Sequence, residues 1–301
     1  MSSVEESFRA CERLTKNHYE NFPVGSFLVP KAKRKYVWAV YAFARTADDF
    51  ADEGRHGHET PEEIQNRLKL LDDWERKLDD ALIGKATDPI FIAVAQTLAD
   101  LDIPHQLLRD LLTAYRMDVQ KSRYQNFDEV LTYCRYSANP VGRLVLYIFG
   151  YQQPQLHELS DAICTALQLT NFWQDIQIDL QKNRIYIPQD LMAQHGFSEE
   201  ELKNFDSGKQ ACADNPKFQA VMAACFEVTK KLFNQGLPLC RSVNKDLRWE
   251  LRLTWLGGST ILQRTAQVCF DVFRQRPTVS GFGKFKLLLQ AFSKKPLEEI
   301  L

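Results

Sequence analysis

An excess of charge of one sign is missing from this sequence: 38 Lys and Arg stand against 39 Asp and Glu, a formal net charge of −1 over 301 residues. Bulk attraction to nucleic acid is thereby excluded, and no nucleic-acid partner is expected. Cys-x-x-Cys is missing too. The seven cysteines (Cys11, Cys134, Cys164, Cys212, Cys225, Cys240 and Cys269) are scattered and odd in number. Neither a zinc cage nor a disulfide framework is expected from them, and a cytoplasmic, reducing compartment is. Apolar runs such as Leu144 to Gly150 fall far short of the roughly 20 residues that a spanning helix needs. The opening Met-Ser-Ser-Val-Glu-Glu is polar and acidic, unlike a secretory leader. Gly-x-Gly-x-x-Gly and P-loop motifs are absent, so no nucleotide cofactor is indicated.

What is present is helical. At 45% hydrophobic and 26% charged, the composition is that of a soluble globular chain. A chain this long removes about 75% of its unfolded surface from water and needs no covalent staple. Its 19 Phe, 10 Tyr and 5 Trp are enough to line an apolar cavity as well as a core. Pro30 precedes a helical stretch ending near Gly54, and Thr60-Pro61-Glu62-Glu63 reads as a capping box with Pro at the first helical position. Asp88-Pro89 and Pro104 open two more helices, and Ser198 with Glu201 makes a second capping box. Leu107, Leu108, Leu111, Leu112 and Tyr115 recur at helical spacing. Asp161 to Leu180 reads as one long, largely apolar, central helix. No linker, repeat or compositional break divides the chain. One all-α domain spanning residues 1–301 is expected.

Two stretches carry candidate chemistry. In Tyr41-Ala-Phe-Ala-Arg45-Thr-Ala-Asp48-Asp49-Phe-Ala-Asp52, at about 100° per residue, Tyr41, Arg45, Asp48 and Asp52 share one helix face. Like charges four apart repel by a few tenths of a kcal/mol, and a divalent cation reverses that sign. Mg²⁺ held by one or two carboxylates, waters and phosphate oxygens suits the arrangement. A lone Asp-x-x-x-Asp is more often a solvated face, but Trp38, Phe43 and Phe50 make this segment too apolar for simple surface. In the second stretch, Gln168, Asn171, Asp175 and Asp179 form a polar stripe among Leu169, Phe172, Trp173 and Ile176. Buried hydrogen bonds explain Gln168 and Asn171 well, and the two aspartates badly. Two such pairs on distant helices, facing each other at the mouth of an apolar cavity, would take an amphiphile with a diphosphate head and a hydrocarbon tail. Metal would make the diphosphate a leaving group, and aromatic faces would stabilise the resulting cation.

Phe43-Ala-Arg-Thr-Ala-Asp-Asp-Phe-Ala-Asp-Glu53 and Leu167-Gln-Leu-Thr-Asn-Phe-Trp-Gln-Asp-Ile-Gln-Ile-Asp179 resemble the paired aspartate motifs of the squalene/phytoene synthase family. Tyr133-Cys-Arg-Tyr-Ser-Ala-Asn-Pro-Val-Gly142 is similar to the family's Tyr-Cys…Val-Gly segment, and Arg184-Ile-Tyr-Ile-Pro188 to its loop after the second motif. The likeness covers nearly the whole chain. It points to the bacterial hydroxysqualene synthase branch of hopanoid biosynthesis through His18-Tyr-Glu-Asn-Phe-Pro23, Ser137-Ala-Asn-Pro-Val-Gly-Arg143 and Asn171-Phe-Trp-Gln-Asp175. The resemblance implies a helical isoprenoid-synthase bundle around a central apolar cavity. It implies Mg²⁺ at Asp48, Asp52, Asp175 and Asp179, diphosphate contacts from Tyr41, Arg45, Gln168, Asn171 and Arg184, and Tyr133 beside the reacting centre. The implied reaction is loss of diphosphate from presqualene diphosphate, cation rearrangement and water capture to give hydroxysqualene. The alternatives are a head-to-head prenyl transferase using the same metals, and a non-catalytic assembly factor on the same fold. Four intact acids weigh against the last.

Departures from the family pattern bear on that choice. Gln174 stands where condensing relatives commonly carry Arg, which favours the hydroxysqualene reading. Asn139-Pro140 replaces small residues and favours the same reading, and Gly258 aligns near a tyrosine that helps bind diphosphate in some relatives. The basic run Lys31, Lys33, Arg34, Lys35 reads as a solvated patch, and His56 and His58 as loop residues. The tail Lys284 to Lys295 is a basic amphipathic stretch that packs as a terminal helix or touches a membrane. Water-insoluble substrates raise the weight of peripheral membrane contact, and functional coupling to a presqualene diphosphate synthase goes with them.

Overall fold

Start signals in the sequence become helix starts in the structure. Thr60 Oγ1 accepts from the Glu63 amide and Glu63 returns the bond to the Thr60 amide. Ser198 and Glu201 make the same reciprocal pair, and Asp88 caps the Ile90 amide at 2.9 Å. Each such cap stabilises its helix by about 1 kcal/mol.

The structure is a computed structural model that describes residues 3–17, 29–52, 59–208, 211–292 and 297. In chain order the α-helices among them are α1 (Val4–Asn17), α2 (Lys31–Asp52), α3 (Pro61–Leu82), α4 (Pro89–Leu101), α5 (Gln106–Gln120), α6 (Phe127–Ser137), α7 (Asn139–Phe149) and α8 (Pro154–Gln174). They continue as α9 (Ile176–Gln181), α10 (Gln189–Gln194), α11 (Glu199–Asp206), α12 (Pro216–Gly236), α13 (Leu239–Ser242), α14 (Lys245–Gln267) and α15 (Gly281–Phe292). The β-structure among the described residues is one isolated bridge, Arg123 with Ile185. The fold is all-α, as the sequence predicts. His18 to Pro23, Glu53, Gly54, His56, His58 and the tail from Ser293 to Lys295 lie outside the described residues.

Contacts group the helices into two units, residues 1–120 with 140–157, and residues 121–139 with 158–301. In the first, α1, α3, α4 and α5 pack against α2. Phe43 of α2 meets Trp74 of α3 and Phe91 of α4, both with centroids 5.9 Å away, and Phe50 meets Trp74 at 5.4 Å. That aromatic knot lies behind the α2 face that carries Arg45 and Asp48. Arg67, almost fully buried, donates to the Ala51 carbonyl at 2.7 Å and pairs with the largely covered Glu59 at 2.9 Å. It thereby ties down the last turn of α2. Lys31 is exposed, as expected of a solvated patch, but the other three residues of the basic run are not. Lys33 Nζ donates to the Ile148 carbonyl at 2.7 Å and stands over the Phe149 ring, Arg34 holds the Val29 carbonyl, and Lys35 lies over Phe8 and Tyr36. Long cationic side chains have been folded back onto apolar neighbours.

In the second unit, α8 presents Leu169, Phe172 and Trp173 inward. Trp173 Nε1 donates to Thr229 of α12, and Trp255 Nε1 of α14 to the Phe233 carbonyl. Gly236 and Gly258 admit this packing: a Cβ at Gly236 would meet Ile163 and the Leu159 carbonyl, and one at Gly258 would meet Leu167 and Phe233. Asn139 Oδ1 accepts from Thr165 at 2.9 Å, so the unusual Asn tethers α8. The predicted single helix over 161–180 is instead α8 and α9, broken at Asp175 with φ −107° and ψ 18°. Backbone bonds from the Asp175 amide to Asn171 and from the Asp179 amide to Asp175 continue across the break, so the four-residue step survives. α15 packs on α14 through Trp249–Phe292 and through Arg252 Nε on the Ala291 carbonyl, the terminal-helix alternative. None of the helices among the described residues is long and apolar enough to cross a membrane.

Candidate active site

The first acid pair rides on α2. Arg45 reaches Asp48 at 3.3 Å and Asp49 more closely, at 2.5 Å. Asp49 lies off the Tyr41–Asp48–Asp52 stripe and serves as the anchor of Arg45. The Tyr41 phenol is held above its usual value by burial, an effect that Arg45 opposes. Tyr115 of α5 is pushed well up by burial and then by the nearby Asp48 and Asp118 carboxylates. It joins the site from a second helix, and sequence spacing gave it only a packing role. A phenol kept protonated beside a carboxylate is a donor for an anionic oxygen.

The second pair sits where α8 gives way to α9. The stripe faces outward: Asn171 is exposed, while Gln168, Asp175 and Asp179 are half-buried. Contrary to what their apolar helix suggests, Asp175 and Asp179 are therefore not fully buried, and water offsets part of the cost of their charge. Asp175 leaves α9 without a side-chain cap and instead accepts from Arg276, Nε at 2.5 Å and Nη2 at 3.1 Å. Gln174 is buried and donates Nε2 to the Pro277 carbonyl. The cationic group missing at position 174 is thus supplied to Asp175 from a hundred residues further along. Sequence reasoning missed Arg276, which lies in no motif.

Asp179 and Arg184 line one small cavity of about 10 Å³ with Phe172, Ile176 and Tyr186, room for about one water. Tyr133 is buried against Tyr124, Phe172 and Tyr186 at centroid distances of 5.8, 5.9 and 5.7 Å. Tyr186 stacks on Phe172 at 3.7 Å and 7°. Two of these rings, Phe172 and Tyr186, line the same cavity as Asp179 and Arg184, and aromatic rings beside charged groups suit a developing cation next to a departing anion. The loop carrying Arg184 and Tyr186 is braced from residues 122–125: the Ile185 amide donates to Ser122, the Gln189 amide to Tyr124 and the Asp190 amide to Gln125. Arg123 holds Asn183 and pairs doubly with Glu199, whose carboxyl it lowers to about 2.

Among the described residues no three His, Cys, Asp or Glu side chains gather into a metal cage. Paired carboxylates fit an ion that brings phosphate and water ligands of its own, as Mg²⁺ does, and do not fit a protein-only cage.

A squalene/phytoene synthase family model matches residues 15–283. The chain belongs to that family. Its fold is similar to the crystal structure of squalene synthase HpnC from Alicyclobacillus acidocaldarius, at TM-score 0.80 and 36% identity over 89% of this chain and 96% of that one. A dehydrosqualene synthase structure shares the fold at TM-score 0.79 and 24% identity, over 96% of each chain. The 15-cis-phytoene synthase of Synechococcus elongatus is 29% identical over 94% of this chain and 92% of its own. The family's chemistry on prenyl diphosphates carries the expectation of a divalent cation.

Proposed function

We propose that residues 1–301 act as one catalytic domain that ionises a prenyl diphosphate in head-to-head isoprenoid synthesis. Asp48, Asp52, Asp175 and Asp179 would hold Mg²⁺ together with diphosphate oxygens. The metal, when bound, neutralises the leaving diphosphate. Tyr41, Arg45, Gln168, Asn171 and Arg184 bind and orient that group, and Tyr133 with Phe172 and Tyr186 faces the carbocation left behind. The observation that carries this reading is that each acid pair is already matched to a guanidinium, Arg45 on one and Arg276 on the other. Such a site is electrostatically suited to charge that changes sign during turnover.

Two readings differ in where the reaction begins. The first joins two prenyl diphosphates in this site. The synthases to which the chain is similar support it, and Arg276 restores the cation whose loss at Gln174 argued against it. The second starts from presqualene diphosphate and ends in water capture, as hydroxysqualene. It is favoured by Gly258, where Leu167 and Phe233 fill the space that the relatives' tyrosine would need. Peripheral membrane contact and delivery from a presqualene diphosphate synthase belong with this second reading. Purified protein with Mg²⁺ should be given farnesyl diphosphate alone or presqualene diphosphate, in oxygen-18 water, with and without NADPH. Consumption of farnesyl diphosphate to a C30 product supports the first reading. Turnover of presqualene diphosphate alone, to an oxygen-18-labelled alcohol without reductant, supports the second. Release of diphosphate from neither substrate overturns the proposal.

A further inference from the structure

Between α14 and α15 the chain has no regular helix, yet side chains from several elements hold it down. It leaves α14 through Cys269 and Phe270, both left-handed at φ 51° and 55°. Such backbone persists in non-glycine residues when the surroundings impose it. Gln219 of α12 donates to the Cys269 carbonyl at 2.7 Å, and the Cys212 thiol reaches the Phe270 carbonyl and Asp271 Oδ1 at 3.6 and 3.1 Å. Further along, Gln174 donates to the Pro277 carbonyl and Arg264 to the Thr278 carbonyl. Pro277 is buried, whereas the Arg276 side chain is 46% exposed. The backbone is pinned on both sides of a stretch with two solvent-facing cations: Arg274, 3.8 Å from Asp271, and Arg276, which lies doubly bonded on Asp175.

We propose that Arg276 is a resident counter-ion of the second acid pair. It occupies Asp175 in the metal-free protein and must swing away before a divalent cation can use that carboxylate. Gln174 positions it through the Pro277 carbonyl. The inference rests on the reading of Asp175 and Asp179 as metal ligands. A bidentate guanidinium engages both carboxylate oxygens, the same lone pairs a metal requires. Because the arm is solvent-exposed and its backbone anchored, release costs only the worth of a surface ion pair. The neutral amide at 174 follows from this arrangement. It is buried with its donor satisfied, and a second guanidinium there would sit one residue from Asp175 and crowd Arg276.

The test is Mn²⁺ binding to the purified, substrate-free protein, read by electron paramagnetic resonance with and without inorganic diphosphate. R276Q should bind Mn²⁺ without diphosphate about fivefold more tightly than wild type, the scale on which so exposed a pair competes. Q174L, which frees the Pro277 anchor, should shift affinity in the same direction, and R276K, which keeps the charge but loses the two-pronged contact, should fall between wild type and R276Q. D175N should remove the gain from R276Q. Unchanged or weaker Mn²⁺ binding by R276Q, with diphosphate-assisted binding intact, overturns the counter-ion and leaves the metal site standing. A Q174L protein that binds like wild type while R276Q gains overturns the positioning role of Gln174. No Mn²⁺ binding by any variant, even with diphosphate, overturns the metal site and the counter-ion together.

Discussion

Asp48→Asn, Asp52→Asn, Asp175→Asn and Asp179→Asn should each lower kcat by about 10²-fold or more, the scale seen when one preorganised electrostatic stabiliser is lost. Asp49→Asn should cost clearly less. At about 100° per residue, Asp48 and Asp52 lie roughly 20° to either side of Tyr41, and Asp49 roughly 80° away. The structure gives Asp49 a task of its own, the 2.5 Å contact with Arg45, so its loss should loosen diphosphate binding and raise KM more than it lowers kcat. None of the five changes should unfold the protein. The pairs broken at Asp48, Asp49 and Asp175 are partly solvated, and such pairs contribute little to stability. Mg²⁺-saturated kinetics with circular dichroism on each variant decides the matter. Equal damage from Asp49→Asn and Asp48→Asn would mean that the α2 face has been assigned wrongly.

Stability should depend far more on Arg67, 7% exposed and paired with the 10% exposed Glu59. Arg67→Met leaves a buried carboxylate without its cation and the Ala51 carbonyl without its donor. The expected loss is about 3 kcal/mol, which lowers Tm by about 6 °C in a chain of this size. Arg67→Met with Glu59→Gln should recover part of it, because no buried charge is then left unpaired. Arg9→Ala, which breaks an exposed pair with Glu5, should change Tm by about 1 °C or less. Because Ala51 precedes Asp52, Arg67→Met should also weaken the response to metal and diphosphate. Thermal melts of the four proteins check this. An Arg67→Met melt that matches Arg9→Ala would show that the pair does not hold α2.

Local signals were legible wherever the chemistry is local. Capping boxes at Thr60 and Ser198, the Asp88 cap and the leucine spacing in α5 read directly as helix starts and faces. The acid pairs were legible for the same reason, since a four-residue step keeps two side chains on one face even across the break at Asp175. That break was not. It depends on where Asp175's side chain goes, and the partner Arg276 lies far along the chain in a segment with no periodicity. Tyr115 escaped similarly: its spacing reads as packing, and its neighbour Asp48 becomes apparent only when α5 lies against α2. Lys33 and Lys35 were misread because sequence does not show which apolar surfaces a long cationic stem can cover. Gln174 was read as a loss of charge, whereas the charge had moved to another part of the chain.

If Asp48, Asp52, Asp175 and Asp179 are metal ligands as proposed, a divalent cation and diphosphate should bind together and much less separately. Carboxylates alone repel the anion, and the metal alone finds too few protein ligands for a closed shell. A thermal-shift matrix of apo protein, Mg²⁺, inorganic diphosphate and both together tests it directly. A joint rise in Tm well above the sum of the separate ones is expected, by linkage to a ternary site, and Asp175→Asn should abolish it. Equal stabilisation by diphosphate with and without Mg²⁺ would contradict it, because the aspartates would then not be metal ligands.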